Sequence, residues 1–294
     1  MEMERIRKDA FCVIGKAGST RDGDGFVGRL WQEVNSRFAE VAELAKRTDE
    51  GNLAGVWGAM TDFSFSFQPW EENFTQGLYL AGVEAREDAA APRGWKKWII
   101  PGFTYLKVRA DTPDAFEKTL TYLAEKGMAL VGSVQDFTDP ASGVNYMLFP
   151  IEKNDSKERL IREMKDRTDQ VSVCTHHCEH CFLGRWCGGC RSACNVCSFA
   201  TLSEDNLCAN VRCAREKGLD SCAGCDGLLA CGKGFYGEKT GHTPKATALF
   251  VRKYGKDAYS ETLEKAIRAG FRYTEELDAC PGVEEALAKL EKYR

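Results

Sequence analysis

Cysteine thiols are the side chains whose spacing points most directly to chemistry in this sequence. Of the 14 cysteines in the 294 residues, 12 lie between residues 174 and 231, where four pairs have the spacing C-x2-C. Two thiolates at that spacing can grip one tetrahedral metal ion. The candidate metal ligands are Cys174, Cys178, Cys181, Cys187, Cys190, Cys194, Cys197, Cys208, Cys213, Cys222, Cys225 and Cys231.

Three kinds of cysteine chemistry compete for this segment. Structural zinc, two to three ions, is the leading interpretation, because so short a segment with few large apolar residues needs metal binding in order to fold. Iron–sulfur ligation also uses four thiolates, and a disulfide framework requires an oxidising compartment. His176, His177, His180 or His242 could replace some thiolates, and the pairing stays open.

A second kind of chemistry comes from aromatic residues and one carboxylate in the first half of the chain. Glu84 ends an apolar strand, and a carboxylate near aromatic faces suits a lipophilic cation, since the rings attract the cation and the carboxylate neutralises it. The alternative is that the aromatic residues are ordinary core. The candidate ligand-binding residues are Trp57, Phe65, Glu84, Trp98, Tyr105 and Tyr146.

Sequence motifs for catalysis are missing. The chain has no G-x-S-x-G, no H-E-x-x-H and no phosphate-binding glycine loop, and its four histidines all follow residue 153. Hydrolysis in the first region would therefore rest on Glu, Asp or Tyr side chains. The candidate catalytic residue is Glu84, or another carboxylate, activating water with Tyr105 or Tyr146 assisting.

The elements that must position these residues are mixed α and β structure. Apolar spacing predicts helices after Gly25 and over 113–126, and the alternating Phe63, Phe65 and Phe67 predict a strand. The order strand–helix–strand–strand occurs near residues 11–84 and again near 99–151. This indicates an internal duplication, and the seam between such halves is a natural cleft.

Net charge and hydropathy limit the classes of partner and the cellular location that we expect for this chain. The net charge is −4 and no segment concentrates basic residues, so we expect no direct nucleic-acid contact. No apolar run approaches the roughly 18 residues of a membrane span. The charged first residues do not form a secretory signal, so we expect a cytoplasmic protein.

Four stretches of the first region resemble a GyrI-like small-molecule-binding domain, the effector-binding domain also found at the end of AraC- and MerR-type regulators. They are Val56–Met60, Gly77–Glu84, Trp98–Tyr105 and Asn145–Ile151. The resemblance covers about residues 8–153. It implies a pocket between two pseudo-symmetric halves that takes bulky, often cationic or lipophilic drugs.

Some members of that family are hydrolases that open cyclopropane rings in DNA-alkylating natural products. Members usually place a glutamate on the final strand, where this chain has Tyr146. The departure weakens the hydrolase interpretation and the cation preference unless Glu84 substitutes. A buried tyrosine could still orient a ligand through its hydroxyl.

The cysteine-rich part resembles a small bacterial and archaeal family of unknown function that often follows such domains. Its marks are Cys187–Arg191 and Ala248–Gly255, and the resemblance covers about residues 174–265.

The sequence thus predicts an α+β protein in four parts. Residues 1–153 form a duplicated effector-binding domain with an antiparallel sheet, 154–172 a linker helix, 173–240 a small metal domain, and 241–294 a helical tail packed on it. The leading function is binding of a hydrophobic or cationic small molecule, in sensing, sequestration, transcription regulation or drug resistance. The alternatives are a hydrolase of reactive electrophiles and a metal or redox sensor.

Overall fold

The computed structural model describes residues 2–157, 159–160, 170–181, 187, 189–190, 200 and 206–294. The chain divides into two compact units, Met1–Glu163 and Met164–Arg294. Cys194, Cys197 and most of the expected linker helix lie outside the described residues.

The first unit is built on one eight-stranded antiparallel sheet, which confirms the predicted α+β class. Its strands are β1 (Met3–Lys8), β2 (Phe11–Ser19), β3 (Val56–Thr61), β4 (Leu78–Ala85), β5 (Lys96–Ile100), β6 (Phe103–Arg109), β7 (Gln135–Thr138) and β8 (Asn145–Lys153). They lie in the order β1-β6-β8-β7-β3-β4-β2-β5. The helices are α1 (Phe26–Ser36), the single turn α2 (Glu71–Phe74) and α3 (Ala115–Glu125).

Apart from the single turn α2 between β3 and β4, two successive segments of this unit have the same order of elements, β2-α1-β3-β4 and β6-α3-β7-β8. They meet where β3 pairs with β7, and there Trp57 lies opposite Phe137. Each of the two remaining strands pairs with the segment that it does not directly precede in the chain. Strand β1 precedes β2 but pairs with β6, and β5 precedes β6 but pairs with β2. That the two segments arose by duplication stays a prediction.

Two short connections force the sheet to curl. Residues 9–10 join β1 to β2, and residues 101–102 join β5 to β6, although each pair of strands lies six places apart in the sheet. A flat sheet would separate such strands by about 29 Å, since neighbouring strands are about 4.8 Å apart. The span from Lys8 to Phe11 reaches at most about 11 Å. The sheet therefore brings its two edges towards each other.

The two faces of the curled sheet carry different side chains. Helices α1 and α3 cover one face, where Val34 and Trp95 belong to one apolar cluster and Leu123 and Phe149 to another. The other face carries an aromatic cluster with members from both sides of the sheet, including Trp98 of β5 and Tyr105 of β6. This concave face is the first candidate site.

The strand expected over Phe63, Phe65 and Phe67 is wrong, because these residues lie in a loop. The Asp62 carboxylate accepts hydrogen bonds from the backbone N–H groups of Ser66 and Gln68, at 3.0 and 3.1 Å. Phe65 and Phe67 have φ angles of 61° and 58°. The backbone N–H groups of this loop thus bond to the Asp62 side chain, and the positive φ angles keep the loop from adopting an extended strand.

The second unit is helical in the part that the structure describes. Its helices are α4 (Ala209–Glu216), α5 (His242–Tyr254), α6 (Lys256–Arg268), α7 (Glu275–Asp278) and α8 (Val283–Glu291). The core residues of α5 to α8, among them Phe250 and Leu290, belong to the same apolar cluster as Val171, Cys174 and Tyr236. The last helices and the cysteine-bearing segment therefore share a core. Among the described residues, no helix is long and apolar enough to cross a membrane.

We predict that Gly82→Ala lowers the free energy of unfolding of the full chain by about 1–3 kcal/mol. Gly82 pairs with Gly15 between β2 and β4, and a Cβ at position 82 would overlap the carbonyl oxygen of Ile14. Urea unfolding followed by tryptophan fluorescence measures the change.

The matched control is Gly28→Ala in α1, where an added Cβ meets no atom within 4 Å. It should stabilise the chain by about 0.5–1 kcal/mol, because alanine loses less backbone entropy in a helix. Equal stability of Gly82→Ala and the unmodified chain would contradict the close approach of β2 and β4.

Candidate functional site

A chain of four aromatic rings crosses the centre of the concave face. The rings of Phe11, Trp57, Phe137 and Tyr146 follow one another with centroid separations of 4.6, 4.7 and 6.2 Å. The strand register sets this order, since Trp57 lies opposite Phe137 across β3 and β7, and Phe137 lies opposite Tyr146 across β7 and β8. The chain of rings therefore spans both halves of the sheet.

A second aromatic group lies beside the loop after β3. The Phe65 ring is 5.0 Å from the Trp98 ring and 5.3 Å from the Phe67 ring, in edge-to-face arrangements. Trp98 and Phe67 are buried, whereas Phe65 is 36% exposed. Phe65 is thus an accessible edge of the aromatic cluster.

Two polar atoms are buried within the cluster. Within the part of the chain that the structure describes, Trp57 Nε1 and Tyr105 Oη have no hydrogen-bond partner. Burial raises the pKa of the Tyr105 hydroxyl. A buried polar group without a partner costs about 1–3 kcal/mol, so a bound molecule that supplied a partner would recover that energy.

Glu84 lies at the rim of the concave face and is 2% exposed. Its two carboxylate oxygens are ion-paired with Lys8 Nζ at 3.0 Å and with Lys46 Nζ at 3.3 Å. Lys8 Nζ also lies 4.3 Å from the ring centroid of Phe11 and 5.4 Å from that of Trp57. An ammonium group of the protein itself therefore occupies the position expected for a cationic ligand.

The structure brings most of the candidate ligand-binding residues together. One aromatic cluster contains Trp57, Trp98, Tyr105 and Tyr146, and the ring of Phe65 contacts Trp98 at its edge. Glu84 is connected to this cluster by Lys8, whose ammonium pairs with the Glu84 carboxylate and lies over the Phe11 ring. That these residues bind a ligand stays a prediction.

Sequence reasoning missed three contributors to this face, namely Lys8, Phe11 and Lys107. Lys107 Nζ lies 4.1 Å from the ring centroid of Tyr146. Lys107 alternates with Phe103 and Tyr105 along β6, so strand alternation was the signal that could have found it. The role of Lys8 could be found only from the folded structure, because its partner Glu84 is far away in sequence.

The helix-covered face carries a polar chain. Trp31 Nε1 donates to Tyr79 Oη at 3.2 Å, and the Tyr79 hydroxyl donates to Asp136 Oδ2 at 3.2 Å. Burial raises the pKa of Asp136 to about 6, although the bond from Tyr79 lowers it in part. The folded chain therefore holds a proton on this carboxyl more tightly than the unfolded chain does.

We predict that this proton makes stability depend on pH. The contribution of Asp136 is fully present below about pH 4 and is lost as the pH rises through about 6, with a total on the order of 3 kcal/mol. Asp136→Asn cannot ionise and should remove this dependence. Urea unfolding at about pH 4.5 and about pH 7.5 measures it.

The control is Asp114→Asn, because a hydrogen bond from Lys118 lowers the pKa of that exposed carboxyl. Any change there should have the opposite sign. If the unmodified chain and Asp136→Asn showed the same pH dependence, the raised pKa would be wrong.

Four cysteines of the second unit line one cavity of about 250 Å³. Cys213 lies in α4, Cys222 begins a short 3-10 turn that ends at Gly224, Cys225 follows it, and Cys231 lies six residues further on. The buried side chains of Leu228 and Tyr236 also line the cavity. These cysteines are neighbours in space as well as in sequence.

Two lysines contact the sulfurs of this cavity. Lys217 Nζ donates to Cys225 Sγ at 3.2 Å, and Lys233 Nζ donates to Cys213 Sγ at 3.5 Å. The bond from Lys217 lowers the pKa of the Cys225 thiol, whereas burial raises the pKa of Cys222 to about 11.

The earlier cysteines lie in a different environment. Cys174 is buried, its Sγ lies 3.1 Å from Ser172 Oγ, and burial raises its pKa. The N–H of Val173 donates to Cys190 Sγ at 3.2 Å, and Cys208 belongs to the same apolar cluster as Val173.

His176 and His177, which follow Cys174 closely in the chain, are both buried. Burial lowers the pKa of each to about 4, so both rings are neutral at pH 7. His176 Nε2 and both ring nitrogens of His177 have no hydrogen-bond partner among the described residues. A neutral imidazole nitrogen is the form that binds metal ions.

The metal sites predicted from the sequence stay predictions. No disulfide joins two of the described cysteines. In the described ranges, no three His, Cys, Asp or Glu side chains converge closely enough to hold a metal ion.

Comparisons with known proteins place similar folds over about half of this chain. The sequence matches no protein-family model and no curated protein sequence. SAV2435 bound to tetraphenylphosphonium is 14% identical, with a TM-score of 0.36 over 52% of this chain and 94% of that one. The C-terminal domain of EcmrR is 13% identical, with a TM-score of 0.36 over 52% and 98%.

An integron cassette protein from the mobile metagenome of Vibrio cholerae is 15% identical, with a TM-score of 0.35 over 51% of this chain and 95% of that one. These likenesses concern the fold and assign neither a family nor a ligand to this chain.

Proposed function

We propose that the first unit binds a hydrophobic, cationic small molecule on its concave aromatic face, in sensing or sequestration. The observation that carries the proposal is the environment of the Lys8 ammonium, which lies between the Glu84 carboxylate and the rings of Phe11 and Trp57. A buried carboxylate beside two aromatic faces is a complete set of groups for a lipophilic cation.

Binding at this position would be an exchange of cations. The side chain of Lys8 is 27% exposed, so its ammonium can move into water, whereas Glu84 is buried and keeps its ion pair with Lys46. A ligand with larger apolar area than lysine gains hydrophobic energy in the same place. The exchange would leave the charge of the site unchanged.

The rest of the face supports a ligand larger than a single ammonium group. Phe65 offers an exposed ring next to buried Trp98, so an aromatic ligand has a stacking partner at the edge. Trp57 Nε1 and the Tyr105 hydroxyl can donate to an acceptor on the ligand.

The hydrolase alternative has less support from the contacts of Glu84. Both oxygens of this carboxylate are ion-paired with ammonium groups, so a water molecule would have to compete with Lys8 and Lys46 for them. Hydrolysis, transcription regulation, drug resistance and metal or redox sensing stay predictions, as does the expected lack of nucleic-acid contact.

For the cysteines from Cys174 to Cys208 we propose structural zinc. Buried ring nitrogens of His176 and His177 that have no hydrogen-bond partner among the described residues support it, since imidazole and thiolate are both zinc ligands.

We predict that the full chain binds tetraphenylphosphonium, and that Phe65→Ala weakens the affinity about fivefold to tenfold. The loss of one edge-to-face ring contact is worth about 1 kcal/mol. Isothermal titration calorimetry measures the dissociation constant.

The matched control is Phe63→Ala in the same loop. The Phe63 ring contacts a different side chain, because the guanidinium carbon of Arg21 lies 3.9 Å from the ring centroid. Its affinity should stay within twofold of the unmodified chain. Equal losses in both variants, or no binding by the unmodified chain, would contradict the proposal.

We also predict that Lys8→Met tightens tetraphenylphosphonium binding about tenfold, because a cation–π contact of about 1–2 kcal/mol no longer competes with the ligand. Lys46→Met is the control, since it removes a charge partner of Glu84 without freeing a ring. Unchanged or weaker binding by Lys8→Met would show that Lys8 does not occupy the ligand position.

A further inference from the structure

The cavity of the second unit gathers four thiols that are spaced C-x8-C-x2-C-x5-C in the chain, Cys213, Cys222, Cys225 and Cys231. They come from α4, from the 3-10 turn and the residue after it, and from the loop that follows. All four are partly buried, and the floor beside them is apolar. This is the donor set of a four-thiolate site.

The placement of the four thiols around one cavity bears on what they can hold. One zinc ion with Zn–S bonds of about 2.3 Å draws its four sulfurs to within about 3.8 Å of one another. No three ligating side chains of the described residues lie in an arrangement that holds one ion, and these four instead border a cavity of about 250 Å³. A cubane cluster needs open space between its four cysteines, because each cysteine binds a different iron and the inorganic atoms lie between them.

The charges around the cavity fit the same occupant. Four thiolates and a [4Fe–4S] core in its 2+ state carry a net charge of about −2. Lys217 and Lys233 supply two ammonium groups, each within hydrogen-bond distance of one of the sulfurs. N–H···S bonds of this kind stabilise the thiolates and tune the potential of a cluster.

We propose that Cys213, Cys222, Cys225 and Cys231 bind one [4Fe–4S] cluster, with Lys217 and Lys233 as hydrogen-bond donors to its cysteine sulfurs. The core is delivered by thiolates of a carrier. As each Fe–S bond to this chain forms, one Fe–S bond to the carrier breaks, and the four thiol protons pass to the departing thiolates with no electron transferred. All four cysteines and both lysines belong to the second unit.

The test compares matched cysteine variants of the full chain, purified without oxygen and without a metal-affinity tag. Iron, acid-labile sulfide, zinc and the visible absorption spectrum are measured for the unmodified chain, Cys225→Ser and Cys280→Ser. Cys280 is the control, because it is also partly buried but its Sγ contacts the carbonyl oxygen of Glu276 at 3.3 Å. We expect Cys225→Ser to lose about four iron and four sulfide ions per chain, and Cys280→Ser to lose none.

A second variant tests the lysines without removing a ligand. Lys217→Ala with Lys233→Ala changes exposed side chains, so the chain should keep its iron and sulfide. Its midpoint reduction potential, followed by electron paramagnetic resonance, should become more negative, because two positive charges beside the added electron are lost.

Two results would overturn the proposal. One is an absence of iron, together with a zinc content that falls by one ion per chain in Cys225→Ser and is unchanged in Cys280→Ser. The other is a metal content that Cys225→Ser leaves unchanged. Tetraphenylphosphonium titration of the same samples reports on the first unit separately, so failure of one proposal is distinguishable from failure of the other.

Discussion

The curvature of the sheet is the constraint on which the first unit depends. Connections of two residues each tie β1 to β2 and β5 to β6, which would lie far apart in a flat sheet. Once the sheet curls, its concave face is enclosed and must be filled, because protein interiors tolerate few voids. Large aromatic side chains on alternate residues of the strands fill it. The short connection between β1 and β2 also brings Lys8, the last residue of β1, to the carboxylate of Glu84.

Both candidate sites show how the chain handles charge near apolar surroundings. A buried charge is tolerated when it has a partner, and lysine is that partner for Glu84 in the first unit. In the second unit two ammonium groups contact thiol sulfurs. A ligand or cluster at the proposed sites would therefore enter an environment that already holds groups of opposite charge.

Periodicity predicted the elements that pack by themselves, and failed where a distant contact decides the structure. The helix near 113–126 was predicted because its apolar spacing is local, and it is present as Ala115–Glu125. Strand β1 was missed, since Met3–Lys8 is rich in charge and becomes a strand only by pairing with β6. The apolar alternation at Phe63–Phe67 gave a wrong strand, because the carboxylate of Asp62 binds that backbone instead.

The candidate site followed the same rule. The sequence grouped Trp57, Trp98, Tyr105 and Tyr146 correctly in one cluster, because each lies on an apolar strand. It also singled out Glu84, but it assigned the countercharge to a ligand. The ammonium of Lys8 comes from a residue 76 positions away in the chain, which no local pattern reveals.

The loop after β3 has a consequence for how the range of ligands can change in evolution. Its backbone is held by the Asp62 carboxylate, whereas its accessible ring belongs to Phe65. For the proposed ligand, recognition and architecture would thus be assigned to different residues of one short segment. Replacing the side chain at position 65 would alter what the rim offers to an incoming molecule and leave those hydrogen bonds in place. Selection could therefore vary the specificity of the proposed site without first having to rebuild a scaffold.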